Sequence, residues 1–268
     1  MKAPLIFFFL LYIGFASARC RQAESPNTTM LSSPILLSQP MDSIFNFPSA
    51  DGLIIESIGS FLPKNNETIL FFHQARFNKT EYQESAVLFQ KWGINTLRVD
   101  LRSGGELNGE KNITYERAIA RGLATDFLAA EKDIKAAIHY LYARTGKPII
   151  ICGSSYSAGL AMKLAAEMKE VKAVISFSPG EYFGPDFVLS MKIKALDKPL
   201  WVTGSRKEIP DIEKLLEAIA SKDNIHLFKP GSEGIHGSKV LWTNQPDRDI
   251  FIEDLHNWLV AQKYTTIK

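Results

Sequence analysis

The chain has 268 residues, with 31 Lys and Arg against 29 Asp and Glu, a formal charge of +2. That balance excludes a nucleic-acid binder working through a basic face, and an apolar content of 46% with 22% charged residues excludes bulk disorder. Two cysteines are too few for a disulfide-stapled scaffold, so a hydrophobic core must hold the fold.

Residues 1–18 place one lysine before an apolar run and end in Ala16-Ser17-Ala18. This is the layout of a secretory signal peptide with its cleavage site, and the run is short of the roughly 20 apolar residues a membrane span needs. A retained anchor and a lipoprotein attached through Cys20 are the competing readings, and Arg19 disfavours the second. The expectation is a secreted or periplasmic protein with no membrane span after cleavage. Residues 19–40, rich in Ser, Pro, Thr and Gln, read as a linker. A single α/β domain is expected over 41–268. Asn27, Asn66, Asn78 and Asn112 head Asn-x-Ser/Thr sequons, a pattern that chance also produces.

Asp51-Gly52 turns into a strand over 53–58, and Asn65-Asn66 turns into a second over 68–72; the two read as a hairpin. Tyr82, Ala86, Leu88, Phe89 and Trp92 recur at helical spacing and predict a helix over 80–92, stopped by Gly93 before a strand over 94–99. Residues 104–125 read as a loop with a short helix. Phe127, Ala130, Ile134, Ala137, Ile138 and Leu141 predict a long helix over 126–142, ended by Gly146-Lys147-Pro148. The wholly apolar run 149–152 is what a strand buried on both faces requires. A helix over 155–168, strands over 173–177 and 199–203, a helix over 209–220, a strand over 225–228 and a helix over 250–261 complete the chain. The alternation predicts an α/β class, with a mostly parallel central sheet, helices on both faces and no large cap domain. In such sheets sites gather at the carboxyl ends of the strands.

The run at 149 leads into Cys152-Gly153-Ser154-Ser155-Tyr156-Ser157-Ala158-Gly159. A strand, a tight turn through small residues and a helix are the context of a nucleophile elbow. Ser155 fits the spacing, with Gly153 and Ser157 as the small flanking residues. Ser157 is the competing frame, and a capping Ser-rich turn is the bland alternative. Cys152, inside the apolar strand, reads as a core thiol.

Together with Asp51-Gly52-Leu53, His73-Gln74-Ala75, Asp100-Leu101-Arg102-Ser103-Gly104-Gly105, Gly153 through Ala158 and His236-Gly237-Ser238, this elbow resembles the serine hydrolases of the α/β-hydrolase superfamily, in their dienelactone-hydrolase-like branch. The departures are Gln74 and Ser157, where many members carry Gly. The resemblance implies the α/β-hydrolase fold and the order Ser, acid, His. Of five histidines, His139, His226 and His256 fall inside predicted helices or a strand. His73 falls where the family has an oxyanion-loop histidine, and His236 is left as the base, in a Gly-rich loop. Glu208 falls where related enzymes place the acid; Asp211, a helix first-turn residue, and Glu181 are the alternatives. The oxyanion hole would take the Tyr156 amide and that of Gln74 or Ala75. Arg76 would meet an anionic substrate or lie in solvent. Arg102 and Arg117 are expected at the entrance or as solubilising charges, and His73, Arg102, Tyr182 and Phe183 as pocket residues, the two aromatics being equally compatible with the core.

The implied activity is cleavage of an ester or related acyl bond in a small molecule, through an acyl-enzyme. An amidase or peptidase would use the same residues, and a catalytically silent binding protein would use the same fold. Neither a metal nor an organic cofactor is expected, because no ligand spacing and no phosphate loop occurs.

Overall fold

The computed structural model describes residues 42–62 and 66–266; the expected signal peptide and linker, Cys20 and Asn27 lie outside them. Ile149, Ile150, Ile151 and Cys152 turn alternate side chains to opposite faces of one sheet. Ile149 and Ile151 join one apolar layer, Ile150 and Cys152 the other. This is the period-2 geometry of a strand covered on both sides.

The strands are β1 (Ser43–Pro48), β2 (Ile54–Ser60), β3 (Thr68–Phe72), β4 (Asn95–Val99), β5 (Ile149–Ser154), β6 (Val171–Phe177), β7 (Leu200–Thr203) and β8 (Ile225–Leu227). They form an 8-stranded sheet in the order β1-β2-β4-β3-β5-β6-β7-β8. Only the pairings of β2, with β1 and with β4, are antiparallel; β4 through β8 pair in parallel.

The expected hairpin of β2 and β3 does not form, because β4 lies between them. All of β3 is buried, and a strand in that state needs a neighbour on each side. β4 and β5 supply them. The free edge of β2 is taken by β1, a strand the composition of its segment did not announce.

The helices are α1 (Gln83–Lys91), α2 (Ile113–Ala120), α3 (Glu131–Thr145), α4 (Tyr156–Glu167), α5 (Leu189–Lys192), α6 (Ile209–Leu216) and α7 (Arg248–Ala261). Phe89 of α1 and Phe251, Leu255 and Trp258 of α7 cover one face of the sheet. Ile134 and Leu141 of α3, Leu160 and Leu164 of α4 and Ile212 of α6 cover the other. Each fully buried side chain of this size stabilises the fold by about 1.5–3 kcal/mol. The helix expected from 126 starts later, at Glu131, because residues 126–130 form turns in which the Asp126 side chain takes the Ala129 N–H. The one expected from 80 opens as a 3-10 turn, Lys79–Tyr82, before α1. Among the described residues no helix is long and apolar enough to cross a membrane.

Two of the sequon asparagines are caps. Asn78 accepts from the Thr80 N–H and starts the 3-10 turn. Asn112 accepts from the Tyr115 N–H and starts α2, while its amide nitrogen reaches Leu101 O, Phe77 O and His73. Both are buried, at 0% and 1% exposure, which leaves no room for a glycan on either.

Candidate active site

β5 ends in Ser154, and Ser155 makes the turn into α4 with φ 61° and ψ −126°. A left-handed φ on a residue bearing a Cβ stores strain, of the order of 1–3 kcal/mol, and such strain concentrates at functional positions. The turn closes tightly: a methyl group on Gly153 would lie 2.5 Å from the Ser157 carbonyl oxygen and 2.6 Å from the Ala158 nitrogen. Ser157, two residues on, is engaged on both sides. Its hydroxyl, fully buried, accepts from the Ser154 N–H at 2.9 Å and reaches Phe72 O at 2.8 Å, so it is bound into the scaffold. Cys152, buried beneath, has its thiol pushed well above its ordinary pKa by burial, and a bond to Tyr82 offsets part of that rise.

His236 and Glu208 meet across the loops that follow β8 and β7. His236 Nδ1 lies 2.5 Å from Glu208 Oε1. The other carboxylate oxygen accepts from Ser205 N, Ser205 Oγ and Ser178 Oγ, each at 2.8 Å. Burial raises the Glu208 pKa, but the bonds from His236, Ser205 and Ser178 outweigh it and hold the carboxyl at about 2. Glu208 therefore stays ionised and pairs with the imidazole. Asp211 is exposed in the first turn of α6. Glu181 is occupied elsewhere, accepting from Leu189 N and Ser190 N at the start of α5. Among the remaining histidines, His226 binds Asp254, His256 packs on Trp92 and His139 is exposed on α3.

The turn at Ser155 is tied to the His236 loop by its neighbours. Ser238 N donates to Ser154 Oγ at 3.0 Å, and Gly237 N donates to Ser178 Oγ at 2.9 Å. Tyr182 approaches both Ser155 and His236. Its hydroxyl donates to Ser178 O at 2.9 Å and interacts with Ser155. Its ring lies edge-on to His236 at 6.4 Å. Burial and the Glu208 charge push the phenol up to about 12, so it is a neutral donor. Beside it opens a cleft of about 540 Å³, lined by Tyr182, Glu208, Asp211 and Lys214 among others. Ser155 itself is 8% exposed.

The loop after β3 narrows the choice between the two expected amides. Gln74 N–H is consumed by Glu81 Oε2 at 2.7 Å, which removes it as an oxyanion donor and leaves Ala75. Leu101 N–H donates to His73 Nε2 at 2.8 Å, so the proton sits on Nδ1, which donates to Gln74 O at 2.8 Å. In a trans peptide the N–H points opposite to the C=O; fixing the Gln74 oxygen thus aims the Ala75 N–H. Tyr156 opens α4, and a first helical residue has no intrahelical acceptor for its N–H. Its ring stacks on Phe127 and its hydroxyl bonds Ser103.

Three pocket expectations are corrected. His73 is fully buried, both ring nitrogens are engaged, and burial lowers its pKa; it supports the loop and does not line a pocket. Arg102 is 1% exposed. Its guanidinium bonds Asp51 at 2.6 Å and Asp133 at 2.7 Å, which ties the β1–β2 turn and α3 to the end of β4. Phe183 turns toward the core, against Gly159 and Phe187. Arg117 binds Asn46, Ile54 O and Glu56 on β1 and β2, and Arg76 is exposed with φ 65°. Sequence reading missed Ser178, Ser205 and Glu81. Ser178 could have been found, since it directly follows a strand at the edge where sites gather.

No protein-family model matches the chain, and no curated protein matches it significantly in sequence. Solved structures do resemble it. An esterase of Pyrococcus furiosus is 16% identical, with 83% of this chain and 90% of the esterase covered at a TM-score of 0.63. A dienelactone hydrolase of Anabaena variabilis is 17% identical, covering 83% of this chain and 98% of that one, also at 0.63. An α/β hydrolase of Penicillium is 12% identical over 82% of this chain and 98% of its own, at 0.63. The chain has the α/β-hydrolase fold, in the compact form of these enzymes.

Proposed function

On that fold, we propose that the chain is a serine hydrolase that cleaves an ester or related acyl bond in a small molecule. The observation that carries the reading is the left-handed backbone of Ser155 in the tight turn from β5 into α4, since strain of this kind concentrates at functional sites. The solved structures of similar fold include an esterase and a dienelactone hydrolase, which supports the class.

Ser155 Oγ attacks the acyl carbonyl while His236 takes its proton. Glu208, on Nδ1, fixes the tautomer and stabilises the imidazolium. The developing oxyanion takes hydrogen bonds from the Ala75 and Tyr156 amides. Collapse expels the alcohol, protonated by His236, and leaves an acyl-Ser155. Water, deprotonated by His236, then releases the acid and restores the serine.

The export reading belongs to this proposal. Residues 1–18 direct the chain out of the cytosol, and cleavage after Ala18 releases it; N-terminal sequencing of material from outside the cell tests this. The enzymatic reading is tested with a fluorophosphonate probe and a short p-nitrophenyl ester. Labelling and turnover in the wild type, both lost in Ser155→Ala, support it. Labelling that persists in Ser155→Ala overturns it.

A further inference from the structure

Glu81 lies in the 3-10 turn before α1 and is fully buried. Its carboxylate joins two loops far apart in sequence. Oε2 accepts the Gln74 N–H at 2.7 Å, in the loop that carries the Ala75 amide. Oε1 accepts the Ser238 hydroxyl at 2.6 Å, two residues beyond His236. Ser154, the residue before the strained serine, adds a further hydrogen bond, and Ser238 N returns to Ser154 Oγ. The Glu81 carbonyl takes the Trp242 indole N–H at 2.8 Å. One buried carboxylate thus touches the oxyanion loop, the histidine loop and the nucleophile turn.

We propose that Glu81 is a positioning residue for acyl transfer, holding the Ala75 amide and His236 in register about Ser155 through Gln74, Ser238 and Ser154. The inference rests on the serine-hydrolase reading.

Two observations favour this role over a merely structural one. First, both backbone polar groups of Gln74 are fixed. Its C=O, in the Gln74–Ala75 peptide, is held by His73 Nδ1 and Phe77 N, and its N–H, in the preceding peptide, by Glu81, so the peptides on both sides of Gln74 are pinned. Second, an ionised carboxylate is a poor choice for stability at this place. Burial pushes Glu81 up to about 6 despite the hydrogen bonds it accepts. The titratable groups facing it are Lys239 in the turn after His236, Tyr82 beside it, Cys152 in β5 and Tyr156 in α4. Burial keeps the last three neutral, so Lys239 alone offsets the charge. A neutral group would suit the core better, but a carboxylate accepts from all three donors at once, whereas an amide accepts through one oxygen only.

The experiment compares full-length wild type with Glu81→Gln and Ser238→Ala at pH 8. Kinetics are normalised to active sites titrated with fluorophosphonate, and phenylboronic acid serves as a tetrahedral mimic. Glu81→Gln should lower kcat about tenfold with KM within threefold, weaken the boronate by a similar factor, and melt no lower than wild type. A structural role would instead lower the melting temperature and leave kcat per site unchanged. Ser238→Ala removes the histidine-loop arm alone and should lower kcat three- to tenfold, which keeps the test open if Glu81→Gln does not fold. Amide exchange of the Gln74 N–H gives a readout that needs no turnover; in Glu81→Gln it should speed up at least tenfold. A kcat per site within twofold of wild type in both variants, or unchanged Gln74 exchange, overturns the proposal. Ester turnover that survives in Ser155→Ala would instead sink the serine-hydrolase reading, whatever the exchange shows.

Discussion

Ser178 donates its hydroxyl proton to Glu208 across 2.8 Å and with the same oxygen accepts the Gly237 N–H at 2.9 Å. One side chain therefore sets the acid and the histidine loop against each other. Ser178→Ala leaves the Gly237 N–H buried without that partner, a loss of about 1–3 kcal/mol. It should also lower kcat several-fold with little change in KM. Denaturant unfolding and steady-state kinetics on one preparation check both.

Glu208→Gln should depress kcat strongly, up to about 10⁴-fold, because an amide can hold the wrong tautomer of His236 in place. Asp211→Asn should leave kcat unchanged and cost only about 0.3–1 kcal/mol at the start of α6. If Asp211→Asn were the crippled variant, the acid would have to be reassigned to the helix.

Ser155→Ala should remove at least about 10³-fold of turnover while the protein stays folded. Ser157→Ala should do the opposite. It leaves the Ser154 N–H without its partner, so it should destabilise by about 1–3 kcal/mol and keep the chemistry. Thermal melts beside initial rates separate the two.

Arg102→Ala strips Asp51 and Asp133 of their shared buried partner. Breaking such a pair costs about 3–5 kcal/mol. The expected result is a large drop in unfolding free energy with KM of the surviving fraction unchanged. A selective rise in KM would restore the pocket role that sequence reading gave it.

Buried Glu81 and half-buried Glu208 bend the stability curve in opposite senses. Glu208 is held at about 2, below its usual 4.5. Its contribution, about 3 kcal/mol, is fully present above pH 4.5 and is lost as pH falls through 2. Glu81 is raised to about 6 from 4.5. Its contribution is present below pH 4.5 and lost as pH rises through 6, by about 2 kcal/mol. Unfolding measured at pH 3, 5 and 8 should show Glu81→Gln gaining on wild type only at the alkaline end, and Glu208→Gln losing to it everywhere except toward pH 2. Parallel curves for all three proteins would mean that neither carboxyl is perturbed.

The alternating apolar strands, the small residues around Ser155 and the loops at 208 and 236 were legible because each is a local pattern. Less legible was pairing. Nothing between residues 53 and 72 says that a strand from 95 will enter between two neighbours in sequence. Arg102 looked like an exposed charge because its partners, Asp51 and Asp133, lie 51 and 31 residues away. Glu81 sat in a segment read as plain helix, and its partner Ser238 is 157 residues distant. The serine turn shows in local spacing, and the Glu208 and His236 candidates came from the family resemblance. The residues that hold them do so through contacts that exist only after folding.

The asparagines that cap the 3-10 turn and α2 set a limit on how this protein can be produced. Asn78 and Asn112 each head an acceptor sequence for oligosaccharide transfer, yet each side chain is spent inside the fold. In a host that decorates nascent chains, folding and sugar transfer compete for the same two nitrogens. A chain modified at either cannot make the bonds that join residues 73–78 to residues 101–112. A bacterial host, or Asn-x-Ala versions of both sites that spare the asparagines, removes the competition. Since Thr80 and Thr114 then lose their own hydroxyl bonds to Asn78 and to the Glu56 amide, the bacterial route is the cleaner of the two.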